Sequence, residues 1–308
     1  MKKILLAIGC LLVCGAVYSQ AFDANGASKA EFSVSPTKKV RFSKGNLQYQ
    51  ASTGTWRFAE HQYDCIGEGN KNISSTYEGW IDLFGWGTSG WSSGADAYKP
   101  YHRSKYSGDY WVGGAYNNSL TGEYAQADWG VYNAISNGGN KVGMWRTLTA
   151  EEWNYILFTR RGEGKEVVTE VDTEEKVIRE TKMVYTNMSF VMAVVCGVKC
   201  LVLFPDGYKH PAGLAELKNV NDGGAGFSNS IGTTMWEKME RAGCVALPAA
   251  GHRLGTEVSY VGTGCRYWSS TYDDALSALG MNFYDGDLGM DNYNRLSGRS
   301  VRLVRDSD

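Results

Sequence analysis

Two apolar runs, Phe190 to Val195 and Val198 to Phe204, flank Cys196-Gly197 and stop at Pro205-Asp206-Gly207. Short runs bounded by turn residues read as strands, so this segment is expected to be an apolar hairpin belonging to the core. The rest of the chain must supply the elements that cover it. Ten Trp, 19 Tyr and 38 Gly against only five Pro point to many short strands and tight turns around aromatic clusters, with few long helices. Glycine gives the backbone access to positive φ, and aromatic rings fit pleated surfaces. With 308 residues, 43% of them hydrophobic, there is enough chain for one large domain or two small ones.

The N-terminus reads as a secretory signal peptide over residues 1–20. Lys2 and Lys3 precede an apolar run from Ile4 to Val17, and Tyr18-Ser19-Gln20 follows. That run is short for a bilayer span, and no later stretch is apolar enough, so a transmembrane segment is not expected. Lipid attachment at Cys10 or Cys14 is the weaker alternative, since Val13 stands where a small residue is wanted. The mature chain is therefore expected to be secreted or held on the extracellular face of the outer membrane. A net charge of −2 without a basic face argues against nucleic acid as a partner.

Residues 21–38 read as a flexible leader and 39–308 as a single domain. Lys39 to Ser43, Asn46 to Gln50 and Trp56 to Ala59 alternate apolar and polar residues around Ser52-Thr53-Gly54-Thr55, a half-buried hairpin signal. Residues 67–140, dense in Gly, Ser, Asn, Tyr and Trp, read as long ordered loops pinned by aromatics. Thr149 with Glu152, and Thr234 with Glu237, have the spacing of capping boxes and open two short helices. The first carries Trp153, Ile156 and Leu157 on one face; the second carries Met235, Met239 and Ala242 and ends at Gly243. The charged stretch 163–182 reads as an exposed hairpin or excursion. Five cysteines remain after the signal (Cys65, Cys196, Cys200, Cys244 and Cys265). An odd number argues against a closed disulfide framework, and their spacing does not make a zinc site. His61, His102, His210 and His252 are scattered as well.

Four stretches, Trp145 to Trp153, Leu247-Pro248-Ala249-Ala250-Gly251, Tyr267-Trp268-Ser269-Ser270-Thr271 and Gly298 to Arg305, taken in order, resemble bacterial C-type lectin-like domains. The resemblance is to the formylglycine-generating-enzyme type and its major-paralogous-domain relatives, and it runs from about Val40 to the end. It implies an α+β, C-type lectin-like fold: mostly antiparallel strands, two short helices and long ordered loops, with strands near Val40 and Val301 bringing the ends together. The enzyme of that group holds copper on paired cysteines near its C-terminus. Here the region offers Cys265 alone, with no Cys or His between Tyr267 and Asp308. A copper-dependent oxidase with Cys244 or Cys265 reactive is therefore the rival reading, and the expectation is a protein that is not an enzyme.

Within that resemblance, residues 268–304 look like the variable region of C-type lectin-like proteins diversified by retroelements. In those systems Asn codons randomised at their adenines never give Lys, Glu, Gln, Trp or Met. From Tyr272 to Arg299 there is no Lys, Glu, Gln or Trp; only Met281 and Met290 depart from the pattern. Leu279, Met281 and Phe283 alternate onto a core face, leaving Gly280, Asn282 and Tyr284 outward. Tyr272, Asp273, Asp274, Leu276, Ser277, Asp285, Asp287, Asn292, Tyr293, Asn294, Leu296 and Arg299 complete the expected ligand-binding set, most of them on loops. A surface rich in Tyr, Asn, Asp and Ser suits recognition, because Tyr adds contact area at low entropic cost. The expected partner is a protein or glycan on another cell, a phage or a host surface. A static structural surface protein is the bland alternative. No cofactor is expected, though Asp285, Asp287 and Asp291 with Asn292 offer oxygen ligands of the kind calcium takes.

Overall fold

The computed structural model describes residues 20–172 and 177–307. The signal peptide expected over residues 1–20 lies, but for Gln20, outside the described residues. The class is α+β: short, mostly antiparallel strands, few helices and much ordered loop.

The apolar hairpin forms as β8 (Phe190–Val195) and β9 (Val198–Leu203), and Cys196 and Gly197 make the turn with φ of 48° and 88°. Positive φ at both corners is what a two-residue turn matching strand twist requires. β11 (Val245–Pro248) pairs antiparallel with β9, and β10 (Asn229–Ile231) runs parallel to β8, completing a four-stranded sheet. Its side chains alternate between two cores. Phe190, Met192, Leu201, Leu203, Val245 and Leu247 face the main cluster, whereas Val191, Ala193, Val202 and Ala246 face a second beneath a helix. Burial on both faces is why the runs are continuously apolar.

That helix, α3 (Thr233–Arg241), buries Trp236 and Met239. The capping box expected from Thr234 and Glu237 does not form: Gly232 is the N-cap, without a side-chain hydrogen bond. The earlier box does form. Thr149 and Glu152 satisfy each other's backbone amides at the start of α2 (Ala150–Asn154), which continues through one wide turn to Thr159. A third short helix, α1 (Trp129–Tyr132), is capped by Asp128.

β1 (Phe32–Ser33), β2 (Lys39–Phe42), β17 (Leu303–Asp306) and β5 (Arg146–Thr147) form the sheet that joins the two ends, with Val304 opposite Phe42. Residues 21–38, expected as a flexible leader, belong to this fold instead. Phe32 is fully buried against Phe42, and Ala27 and Val34 are buried too. The half-buried hairpin is β3 (Leu47–Gln50) with β4 (Thr55–Phe58), and the charged excursion is the long hairpin β6 (Gly164–Asp172) with β7 (Val177–Tyr185). A small pair, β12 (His252–Leu254) with β13 (Glu257–Ser259), precedes the C-terminal sheet.

The C-terminal sheet is a three-stranded meander of β14 (Gly264–Tyr272), β15 (Ser277–Tyr284) and β16 (Asp287–Asn294). Residues 295–301 then run back along β14, where Trp268 N and Ser300 N each donate to the other segment. The four motif stretches, spread from Trp145 to Arg305, meet here. Ser270 N donates to Leu148 O at 2.9 Å, Tyr267 Oη to Pro248 O at 3.1 Å, and Leu303 lies opposite Thr147. The Tyr267-Trp268-Ser269-Ser270-Thr271 stretch is a bulge, with four steps on β14 matched by two on β15. Its Ser269 and Ser270 hydroxyls donate to Leu279 O and Leu148 O. Both hydroxyls are therefore taken up in holding the fold.

Candidate functional site

Strand parity sorts the expected ligand-binding residues. Cross-strand partners share a face, so Ala278, Gly280, Asn282 and Tyr284 stand with Trp268, Arg266, Asp287, Gly289, Asp291 and Tyr293 on one side of the meander. The other side carries Cys265, Tyr267, Met281, Phe283, Leu288 and Met290 and packs into the main core. Asn292 and Asn294 share this core-side parity but lie at the strand's exposed end. Asp287 to Asn294, expected mostly as loops, thus form a strand whose alternation divides the set.

The outward side is itself divided. Its Trp268, Ala278 and Tyr293 end is roofed by the aromatic loops of residues 67–140, which form a cluster with Trp86, Trp129 and Trp145. Of the residues expected to face outward, Gly280, Asn282, Tyr293 and Arg299 are buried, Asn282 at 6% exposure and Arg299 at 5%. Gly280 is buried because Tyr293 covers it: a Cβ there would come within 2.7 Å of Tyr267 O and 3.1 Å of the Tyr293 ring. Asn282 turns inward to donate to Asp287 Oδ2 at 2.7 Å. Tyr272, Asp273, Ser277, Asp287 and Leu296 are half-buried, while Asp274, Leu276, Tyr284, Asp285, Asn292 and Asn294 are exposed.

Two exposed groups result, separated by roughly the length of β15, about 25 Å at ~3.3 Å per residue. One is the loop between β14 and β15, with Asp273, Asp274 and Leu276, held by Asp274 accepting from the Leu276 and Ser277 amides. The other is the open end of the sheet, with the exposed Tyr284 and Asp285 beside the half-buried Asp287. There Tyr260, Thr263, Gly264, Cys265, Arg266, Tyr284 and Asp285 line a cleft of about 560 Å³. Tyr260 and Arg266 have no alternating or turn signature in the sequence, and only the tertiary fold brings them to this cleft. A larger cleft of about 790 Å³ beside Arg146, Glu152 and Asp306 has its charges closed on one another, with Arg146 bound by both carboxylates.

Arg266 Nη1 donates to His252 Nδ1 at 3.0 Å, and the His252 ring stacks on Tyr260. Burial, then the Arg266 and Arg299 charges, push the His252 pKa down to about 4, so the ring is neutral at physiological pH and accepts from Arg266. The guanidinium of Arg299 lies 4.0 Å from the Tyr293 ring centre and that of Arg266 5.3 Å. Burial pushes the Tyr293 phenol up to about 12.

Cys265 is buried beside the Ser300 hydroxyl, and burial raises its pKa to about 11; burial also raises that of Cys244. Thiols held in the protonated form are poor nucleophiles. Among the described residues, no group of three His, Cys, Asp or Glu is placed to hold a metal ion. Asp287 accepts from Asn282, and Asp291 accepts the Asn292 amide. No helix among them is long and apolar enough to cross a membrane. No family model, curated protein or solved structure matches the chain.

Proposed function

We propose that this is a ligand-binding protein of C-type lectin-like fold, secreted or displayed at the cell surface, whose recognition surface is the open end of the β14–β16 sheet. The observation that carries the reading is the asymmetry of that sheet. Its inner face is fixed in the main core, while Tyr284, at 47% exposure, and Tyr260, at 62%, stand free around a cleft. Large apolar residues pinned in the open on a rigid platform are what a recognition site needs, because little conformational entropy is lost when they are covered. The partner is a protein or glycan on another cell, a phage or a host surface. The convergence of the four motif stretches on this sheet supports the fold, and the protonated state of Cys244 and Cys265 weighs against the oxidase alternative.

If a retroelement diversifies the segment, the positions open to change are those with room: Tyr272, Asp273, Asp274, Leu276, Tyr284, Asp285, Asn292 and Asn294. Gly280, Asn282, Tyr293 and Arg299 are buried and have no such room.

An array of glycans and purified surface proteins tests the binding function. The double variant Tyr260→Ala/Tyr284→Ala is expected to lose captured ligand at least ~10-fold, as for exposed aromatic anchors. Its unfolding free energy is expected to change by less than ~1 kcal/mol, since both rings are exposed. The control pair Asp274→Ala/Leu276→Ala, at the far end of the strands, is expected to retain capture. Wild-type protein that captures nothing, or capture indifferent to Tyr260 and Tyr284, would contradict the proposal.

A further inference from the structure

Four arginines of the C-terminal half are almost fully buried: Arg253, Arg295, Arg299 and Arg302. Three of them bind loops through neutral oxygens. Arg253 donates to Gly255 O and Leu83 O, Arg295 to Ser277 O, Asp274 O and Tyr116 O, and Arg302 to Asn46 Oδ1, Gln62 Oε1 and Ala246 O. Arg299 does not. Among the described residues its side chain makes no hydrogen bond or ion pair, and its Nε and Nη1 are buried without a partner. It rests only on the faces of Tyr293 and Trp268, 4.0 and 5.2 Å from the ring centres.

A second guanidinium stands close by. Arg266 shares the Tyr293 ring, and its Nε is unpartnered as well. Its side chain donates to the neutral ring of His252 and meets the Tyr293 phenol, both uncharged partners. Asp287 and Asp291 lie on the same face of the sheet, yet neither comes within ion-pair distance of either arginine. Two cations that repel each other are thus held against one aromatic ring with no carboxylate in ion-pair contact, Asp291 acting on Arg299 only from farther off. A buried charge without a partner is unfavourable in isolation, and the planar forks of arginine match the geometry of an oxyanion.

We propose that Arg266 and Arg299, floored by Tyr293, form the anion-binding subsite of the recognition surface, and that the ligand presents a carboxylate, sulfate or phosphate group there. This rests on the reading that the open end of the sheet binds a ligand, and it specifies that ligand's chemistry. Arg266, which lines the cleft with Tyr260 and Tyr284, receives the group first. Arg299 supplies the second charge from beneath.

The test is titration of the full chain with acetate, sulfate, phosphate and glucuronate, and with neutral glucose, by calorimetry and by thermal unfolding. At least one oxyanion is expected to bind and to raise the unfolding midpoint, whereas glucose is not. Arg266→Gln is expected to weaken that binding at least ~10-fold, since it removes a charged fork. Arg299→Lys, which keeps the charge but not the fork, is expected to weaken it as well. If Arg299→Lys fails to fold, the half-exposed Arg266 decides. No binding by any oxyanion, or binding unchanged in Arg266→Gln, overturns the inference. Should the Tyr260/Tyr284 pair still abolish capture on the array while Arg266→Gln leaves it intact, the recognition surface stands and its anionic specificity falls. Should the Tyr pair also be without effect, the recognition surface itself falls.

Discussion

Trp268→Ala is expected to lower the unfolding free energy by about 3–5 kcal/mol, the range for truncating a large buried aromatic. The indole is fully buried where the C-terminal sheet meets the aromatic loops. Its Nε1 donates to Phe84 O at 2.7 Å, Tyr293 packs against it with ring centres 6.4 Å apart, and the Arg299 guanidinium lies over its face. Removing the ring opens a cavity between two layers whose spacing is fixed by backbone bonds such as the Phe84–Arg299 pair and Trp86 N to Arg295 O, so the surroundings have little means to collapse into it. Phe84 O still accepts from Arg299 N, so most of the loss comes from packing rather than from the hydrogen bond. Urea unfolding followed by circular dichroism measures it. A change below ~1.5 kcal/mol would be that of a modest core adjustment, and would mean that the indole does not join the two layers.

The second large effect is expected at Gly251. Its φ is 76°, and a Cβ there would fall inside contact distance of Ser259 O and 2.8 Å from the Val261 nitrogen. Both obstacles are backbone, so neither can swing away, and Gly251→Ala is expected to cost about 2–4 kcal/mol from the left-handed conformation and the clash together. Gly255 is the matched control, with φ of 58° and nothing within 4 Å of its Cβ position. Gly255→Ala is expected to cost about 1 kcal/mol, from conformation alone. Equal losses at the two sites would show that the close approach of residues 259–261 to Gly251 is not tight. That approach matters to the site, because it positions Tyr260 over the cleft.

Much of the fold is legible where a local rule and the tertiary demand agree. The β8–β9 hairpin combines apolar strands with turn residues able to take positive φ, and the start of α2 has its reciprocal cap. At Thr234 the same spacing misleads, since the chain enters α3 two residues earlier and Gly232 takes the N-cap position. Phe32 and Val34 are too few to signal a strand, yet they close the sheet that joins the chain ends. In β16 the run Leu288-Gly289-Met290-Asp291-Asn292-Tyr293-Asn294 does not alternate in polarity, because one half of its outward side is roofed and the other is open. That is why the expected binding set mixes exposed residues with the buried Gly280, Asn282, Tyr293 and Arg299. The buried arginines are hidden from sequence for a related reason. A guanidinium reads as surface unless the carbonyls that receive it are known, and those of Leu83, Tyr116 and Ala246 come from segments distant in sequence.

Hydroxyl-radical footprinting of the protein, free and bound to a ligand captured on the array, tests the central claim most directly. In the free protein Tyr260 and Tyr284 are expected to react, while the buried Tyr267 and Tyr293 do not. With ligand bound, protection is expected at Tyr260 and Tyr284, and the exposed Tyr106 and Tyr132 are expected to stay reactive. Protection at Tyr106, Tyr132 or Leu276, with Tyr260 and Tyr284 as reactive as before, would place the ligand elsewhere and contradict the assignment of the open sheet end as the recognition surface.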